Sequence, residues 1–260
     1  MRHFYSSSFS QPSSLSCFPD PTHFSTTRSS TMASLPQNVH VSSHPCLRAK
    51  LSQLRSSSTN ARETKQLVHD IALMVGYEAL ASGLTVTASG TDTSPIGYDY
   101  TTETISPAKV SIVPILRSGL SMVEPLLTLL PDPVPVFHLG MYREKSTLQP
   151  VEYYNNLPYH SASQTDSSGG PSDLAILVDP IIATGATASA AIDTLKDWGV
   201  KRILVVSVLG SVGGLQKASG TWPEATEFWV GAVDGETDAK GMIKPGLGDV
   251  GDRLFLTLGK

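Results

Sequence analysis

Ile176-Leu-Val-Asp-Pro-Ile-Ile-Ala-Thr-Gly-Ala-Thr187 decides how this chain folds. The apolar run from Leu174 to Val178 reads as a buried strand that stops at Asp179-Pro180. A short turn of Thr, Gly and Ala follows. Ala188 to Trp198 then reads as a helix closed by Gly199. Small residues at a strand-to-helix turn let backbone N–H groups converge on an anion at the helix N-terminus. Thr184 and Thr187 add hydroxyl donors. Asp179, a lone carboxylate at the strand end, would repel phosphate but suits ribose hydroxyls or a bridging Mg²⁺. The segment reads as a sugar-phosphate site; the plainer alternative is an ordinary βα turn with an N-cap threonine. It is not a Walker A loop, because the Gly-Lys-Ser/Thr ending is absent.

Strands and helices alternate on both sides of this stretch. Val110 to Leu116 reads as a strand, Gly119 to Leu130 as a helix, and Pro131-Asp-Pro133 as a forced turn. Val134 to Tyr142 reads as a strand, and Gln149 to Tyr154 alternates as if to pair back in a hairpin. Residues 160–173 read as a Ser/Gly loop. Further on come strand 203–209, a helical turn near Gln216 and strand 227–233. Such alternation implies βαβ units and a largely parallel α/β sheet. Upstream, Asn60 and Glu63 have capping-box spacing, and Leu67, Ile71, Met74 and Val75 form an apolar stripe ending near Gly83. Residues 84–109 read as a loop with short strands. In open parallel sheets ligands sit beyond the carboxyl ends of the strands. Arg117, Arg143 and Asp179 all fall just past expected strand ends.

A second segment, Met242-Ile-Lys-Pro-Gly-Leu-Gly-Asp-Val-Gly-Asp-Arg253, lies near the C-terminus. With Val178-Asp-Pro-Ile-Ile-Ala-Thr-Gly185 and Val113-Pro-Ile-Leu-Arg-Ser-Gly119, it resembles the uracil phosphoribosyltransferase family. Met141-Tyr-Arg-Glu144 followed by Gln149-Pro-Val-Glu-Tyr-Tyr154 is a weaker match in the expected order. The resemblance runs from about Arg62 to Leu258. It implies a single Rossmann-like phosphoribosyltransferase domain with a mostly parallel central sheet, a β-hairpin arm and a C-terminal base-binding loop. It also implies that uracil and 5-phospho-α-D-ribose 1-diphosphate give UMP and pyrophosphate. Mg²⁺ is the implied cofactor, GTP an implied effector, and a homo-oligomer, dimer or tetramer, the implied assembly.

Carried over residue by residue, the resemblance places the donor on Arg117, Arg143 and the run Asp179, Pro180, Ile181, Ile182, Ala183, Thr184, Gly185, Ala186 and Thr187, together with Asp249. Uracil falls to Ile243, Gly248, Asp249 and Val250. Arg117, Asp179 and Asp249 are the implied catalytic residues. A planar guanidinium meets two pyrophosphate oxygens at once. Uracil presents two carbonyl acceptors and an N–H donor, which backbone groups of a Gly-rich loop can match. Cytosine reverses one edge and leaves buried groups unpaired. Four positions depart from the family pattern. Ala186 and Thr187 stand where Gly-Ser is commoner, and the methyl at 186 restricts the turn if φ > 0 is needed there. Val250 replaces a commoner Ala, and Met242 replaces a common aromatic.

Composition bounds the alternatives. The chain has 260 residues, a net charge of −4 and 40% hydrophobic residues, enough for a sizeable core. No basic block points to nucleic acid, and the apolar runs are strand-length, so no membrane span is expected. Cys17 and Cys46 are the two cysteines, and both precede the expected domain, which disfavours a disulfide framework or Cys/His metal site. Residues 1–59 are rich in Ser, Thr and Pro, with Asp20 as the one acid. They read as a flexible extension to a domain covering 60–260. Residues 1–31 also fit an organellar transit peptide, or an upstream stretch before a start at Met32; the favoured reading is cytoplasmic. Two rival classes remain. Gly246-x-Gly-x-x-Gly251 matches a dinucleotide fingerprint formally, but the strand-like Leu254 to Leu258 after it is the wrong context. A non-catalytic regulator with the same fold would bind nucleotide or donor without turnover.

Overall fold

The computed structural model describes residues 34–144, 147, 149–158 and 171–257. In chain order its elements are β1 (Val39–Val41), α1 (Pro45–Arg55), α2 (Ala61–Gly83), β2 (Thr85–Thr93), β3 (Asp99–Ser106), β4 (Val110–Leu116), a 3₁₀ turn (Ser118–Met122) and α3 (Val123–Leu129). There follow β5 (Leu139–Arg143), β6 (Pro150–Asn155), β7 (Leu174–Val178), β8 (Ile181–Ile182), α4 (Ala186–Trp198), β9 (Arg202–Ser211) and α5 (Val212–Ser219). The last are β10 (Thr226–Asp234), β11 (Glu236–Thr237), β12 (Ile243–Lys244) and α6 (Val250–Phe255).

The order across the main sheet is β1-β10-β9-β7-β4-β5-β6, with β8 also paired to β9. Every pairing in it is parallel except β5 with β6. Strand β7 is buried at all five positions because helices cover both faces. Leu174, Ile176 and Val178 join the core under α1, α2 and α3, while Ala175 and Leu177 join the core under α4 and α5. The chain leaves β4 toward β5 on one side and returns to β7 on the other. The crevice between the carboxyl ends of β4 and β7 is thus the topological switch point of the sheet, where ligands of such folds bind.

Helix α2 begins with the capping box expected from Asn60 and Glu63, both hydrogen bonds being present. The domain, however, starts well before residue 60. Strand β1 pairs with β10, Val39 opposite Phe228. Helix α1 buries Leu47, Leu51 and Leu54 against α2 and the sheet. The expectation of a flexible extension through residue 59 is therefore corrected for residues 34–59; residues 1–33 lie outside the described ones. The i, i+4, i+7 leucines and the helix-starting Pro45 were the available signals. The surrounding Ser, Arg and Lys masked them.

Residues 84–109 hold a longer structure than the expected short strands. β2 and β3 form an antiparallel hairpin of nine and eight residues, and β2 is exposed at every position. Its threonines suit extended backbone without requiring burial. The β5–β6 hairpin is present, but its first strand runs Leu139–Arg143 and not from Val134; Val136 makes an isolated bridge to Ile112 instead. The helix expected from Gly119 begins instead as the 3₁₀ turn and becomes α-helical at Val123. The loop expected over 160–173 lies mostly outside the described residues. Among those described, no helix is long and apolar enough to cross a membrane.

A candidate active site at the switch point

Asp179 follows β7 directly, and Pro180, Ile181 and Ile182 carry the chain along β9 as the short strand β8. Ala183 and Thr184 then turn it into α4. Gly185 is the N-cap, in the left-handed region at φ 75°. A Cβ there would sit 2.3 Å from the carbonyl oxygen of Gly214, so glycine is required twice over. Ser211 pins the turn to α5: its hydroxyl donates to the Ala183 carbonyl and accepts from the Gly214 N–H at 2.9 Å. No side chain caps α4. Its first amides, beside the hydroxyl of Thr187, are left to meet an anion at the positive end of a thirteen-residue helix. The positive φ falls at Gly185 and not at Ala186, whose methyl is buried, so the Ala in place of Gly imposes no strain.

Strand β4 supplies the opposite wall. The Ser118 hydroxyl donates to Asp179 Oδ1 at 3.2 Å, which fixes the carboxylate at the strand end. Gly119 lets the 3₁₀ turn close over β7, since a Cβ there would lie 2.5 Å from the Val178 carbonyl. Arg117 is half exposed on the rim. Its Nη2 is 3.7 Å from Asp252 Oδ1, its Nη1 donates to Thr257 Oγ1 at 3.3 Å, and it lies over the Phe255 ring. It is thus held by the C-terminal segment and does not line the cavity. Arg143 ends β5; the pyrophosphate contact expected of its side chain lies outside what the structure describes.

The third wall is the loop after β12. Gly246 and Gly248 have φ of 62° and 71°, and a Cβ on Gly246 would lie 2.1 Å from the Ile243 carbonyl. Ile243, Leu247 and Val250 turn inward and are buried. Asp249 is the N-cap of α6, its Oδ1 accepting from the Asp252 N–H at 3.0 Å. The strand expected over Leu254 to Leu258 is corrected: Leu254 and Phe255 belong to α6, because that cap starts a helix. Upstream, Asp238 Oδ1 accepts the Met242 and Lys240 N–H groups at 2.9 and 2.8 Å, ordering the β11–β12 turn. These bonds, Met242's first, hold the Asp238 carboxyl below the usual carboxylate range.

Together the three walls enclose a cavity of about 250 Å³. Of the residues singled out in the sequence, the structure brings Asp179, Ile181 to Gly185, Thr187, Ile243, Gly248, Asp249 and Val250 onto it. Pro180 and Ala186 sit in the same turn without lining it. Ser118 and Leu247 line it too and were missed. A serine beside an arginine, and a leucine between glycines, give no distinguishing signal in a sequence. The Gly246-x-Gly-x-x-Gly251 run follows a two-residue antiparallel strand outside the main sheet, which excludes the βαβ setting of a dinucleotide fingerprint.

A family model described as uracil phosphoribosyltransferase matches residues 41–257. A Schizosaccharomyces pombe protein named "Putative uracil phosphoribosyltransferase urg2" is 41% identical over 218 residues, covering 84% of this chain and 90% of that one. The uracil phosphoribosyltransferase of Roseiflexus castenholzii is 37% identical over 222 residues, covering 85% and 99%. Among solved structures, the AQ2163 protein of Aquifex aeolicus superposes with a TM-score of 0.74 at 28% identity, covering 84% of this chain and 98% of that one. The family model spans the switch-point cavity and all three walls: this chain belongs to the uracil phosphoribosyltransferase family.

Proposed function

We propose that this protein transfers the phosphoribosyl group of 5-phospho-α-D-ribose 1-diphosphate to uracil, giving UMP and pyrophosphate. The observation that carries the reading is one cavity joining two recognition elements. An uncapped helix N-terminus with a Gly185 turn faces a Gly-rich loop floored by Ile243, Leu247 and Val250.

In this reading the 5-phosphate sits on the amides and hydroxyls of Thr184 to Thr187. Asp179, held by Ser118, takes the ribose hydroxyls. Arg117 and Arg143 meet the pyrophosphate. Uracil lies against the loop from Ile243 to Val250 and pairs with its backbone. The ring nitrogen bonds to the anomeric carbon as the bond to the pyrophosphate oxygen breaks, and the ring N–H proton is released. Positive charge grows on the sugar in the transition state, and Asp249 at the cavity mouth opposes it. Mg²⁺ fits the donor set. Among the described residues no cluster of three or more His, Cys, Asp or Glu is present, and Mg²⁺ is commonly held by one or two carboxylates with substrate phosphates and water. Asp179 would hold it here, and the ion would neutralise pyrophosphate. The family resemblance also supports GTP as an effector and a dimeric or tetrameric assembly, and the composition of the N-terminal segment favours a cytoplasmic location.

The test is incubation with uracil, the donor and Mg²⁺, with and without GTP. UMP is the expected product. Folded protein that forms no UMP under either condition would overturn the reading in favour of a regulator.

A further inference from the structure

The base loop is held from behind by residues that touch neither the cavity nor any expected substrate position. Arg55, the last residue of α1, meets Asp234, the last residue of β10, fork to fork: Nη2 to Oδ1 at 2.7 Å and Nη1 to Oδ2 at 2.8 Å. The same Nη1 donates to the Gly246 carbonyl at 2.9 Å, and Asp234 Oδ2 accepts the Gly246 N–H at 3.0 Å. Both backbone groups of Gly246 are therefore tied to one ion pair. One residue on, Arg253 Nη1 donates to the Leu247 carbonyl and to the Leu54 carbonyl, each at 2.8 Å, and its Nη2 donates to the Ser56 carbonyl at 3.3 Å. The end of α1 thus holds both Gly246 and Leu247. Leu247 and Gly248 line the cavity, whereas Arg55, Asp234 and Arg253 do not.

We propose that Arg55 and Asp234 are positioning residues that set uracil affinity by fixing the Gly246–Gly248 backbone. The proposal rests on reading that loop as the base site. A left-handed Gly246 has wide conformational freedom, and a loop whose backbone reads a base must be held to a fraction of an ångström. A bidentate, charge-assisted pair is directional enough to do this. The donor turn at Asp179–Thr187 hangs on β7, β9 and α5 and shares none of these bonds. Loosening the clamp therefore weakens base binding and spares donor binding.

The experiment compares wild type with Asp234→Asn, Arg55→Met and Arg55→Lys. Uracil and donor KM are measured separately, with amide hydrogen exchange of the unliganded proteins. For Asp234→Asn and Arg55→Met the expected result is a rise in uracil KM of about tenfold or more with donor KM within about twofold. Exchange should quicken in 243–250 and stay unchanged in 183–188. Arg55→Lys keeps the charge but cannot serve two acceptors in forked geometry, so it should show the same split more weakly. It carries the test if the other variants fail to fold. Parallel changes in both KM values, or an unchanged uracil KM with unchanged loop exchange, would overturn the proposal. A wild type inert toward uracil would instead refute the functional reading, and loop exchange would still report on the clamp.

Discussion

Replacing Asp249 separates the helix cap that the structure shows from the catalytic role proposed for the same side chain. Its Oδ1 caps α6 by accepting the Asp252 N–H at 3.0 Å, and its carboxylate stands at the mouth of the cavity. Asn caps as well as Asp, so Asp249→Asn should cost no more than a few tenths of a kcal/mol of stability, whereas Asp249→Ala should cost about 1 kcal/mol. In a domain of this size that lowers Tm by about 2–4 °C. Helix α6 survives either change, because Val250 is buried and Arg253 is tied to Leu54 and Leu247. The chemical cost is larger. A full charge about 5 Å away at an effective dielectric of about 20 interacts by about 3 kcal/mol. The sugar develops part of a charge, so about 2–3 kcal/mol is at stake, or roughly 10²-fold in rate. Steady-state kinetics with a thermal melt decide the matter. Both variants should lose kcat about equally, roughly 10²-fold, although one keeps the cap and the other loses it. If Asp249→Asn keeps near-wild-type kcat while Asp249→Ala loses it, Asp249 shapes the loop and the electrostatic argument is wrong.

Other perturbations probe other links. Arg117→Ala should lower kcat/KM for the donor by an amount worth about 2–4 kcal/mol. Its Tm should move little, because the half-exposed pair with Asp252 contributes about 1 kcal/mol at most; unchanged donor kinetics would make Arg117 a surface ion pair. Starting the chain at Met32 should leave Tm and turnover intact. Starting it at Asn60 should abolish folding. That cut removes three leucines at most 4% exposed, worth about 1.5–3 kcal/mol each, against a typical domain stability of about 5–15 kcal/mol; a soluble, cooperative melt from the shorter chain would contradict this. Burial pushes the Asp70 carboxyl up, but hydrogen bonds from Lys50 at 2.6 Å and Gln66 at 2.7 Å outweigh it and hold it below the usual carboxylate range. A carboxyl depressed by folding stabilises above its unfolded pKa and loses that contribution as pH falls through the folded one. Asp70→Asn should therefore cost about 0.5–1 kcal/mol in urea melts at neutral pH and become silent in strong acid. An equal cost at both pH values would refute the linkage.

What the sequence revealed and what it concealed have different physical origins. Strand β7 and helix α4 were legible because a strand buried on both faces reads as an unbroken apolar run, and a helix closed by glycine has a marked end. The turn before α4 and the loop after β12 were legible because positive-φ positions demand glycine, and Gly185, Gly246 and Gly248 are those positions. Helix α1 was not, because its three-leucine stripe lies among Ser, Lys and Arg that also suit a flexible tail. The long-range contacts were least legible. Ser118 with Asp179, Arg117 with Asp252, and Arg55 with Asp234 join residues 61, 135 and 179 apart, and no local pattern records such pairs. Arg117 itself was located correctly at a strand end, but its hold by α6 and Thr257 depends on where the C-terminus returns.

The central claim is that one cavity admits the phosphoribosyl donor and reads uracil. It is tested most directly by pyrophosphate release from the donor across a panel of bases: uracil, cytosine, hypoxanthine and nicotinate. A loop that pairs with the uracil edge leaves buried groups unmatched against cytosine, a mismatch worth about 10⁴-fold or more. The account predicts release with uracil, equimolar with UMP, and no measurable release with the others. Comparable turnover of cytosine or hypoxanthine, or release without nucleotide formation, would contradict it.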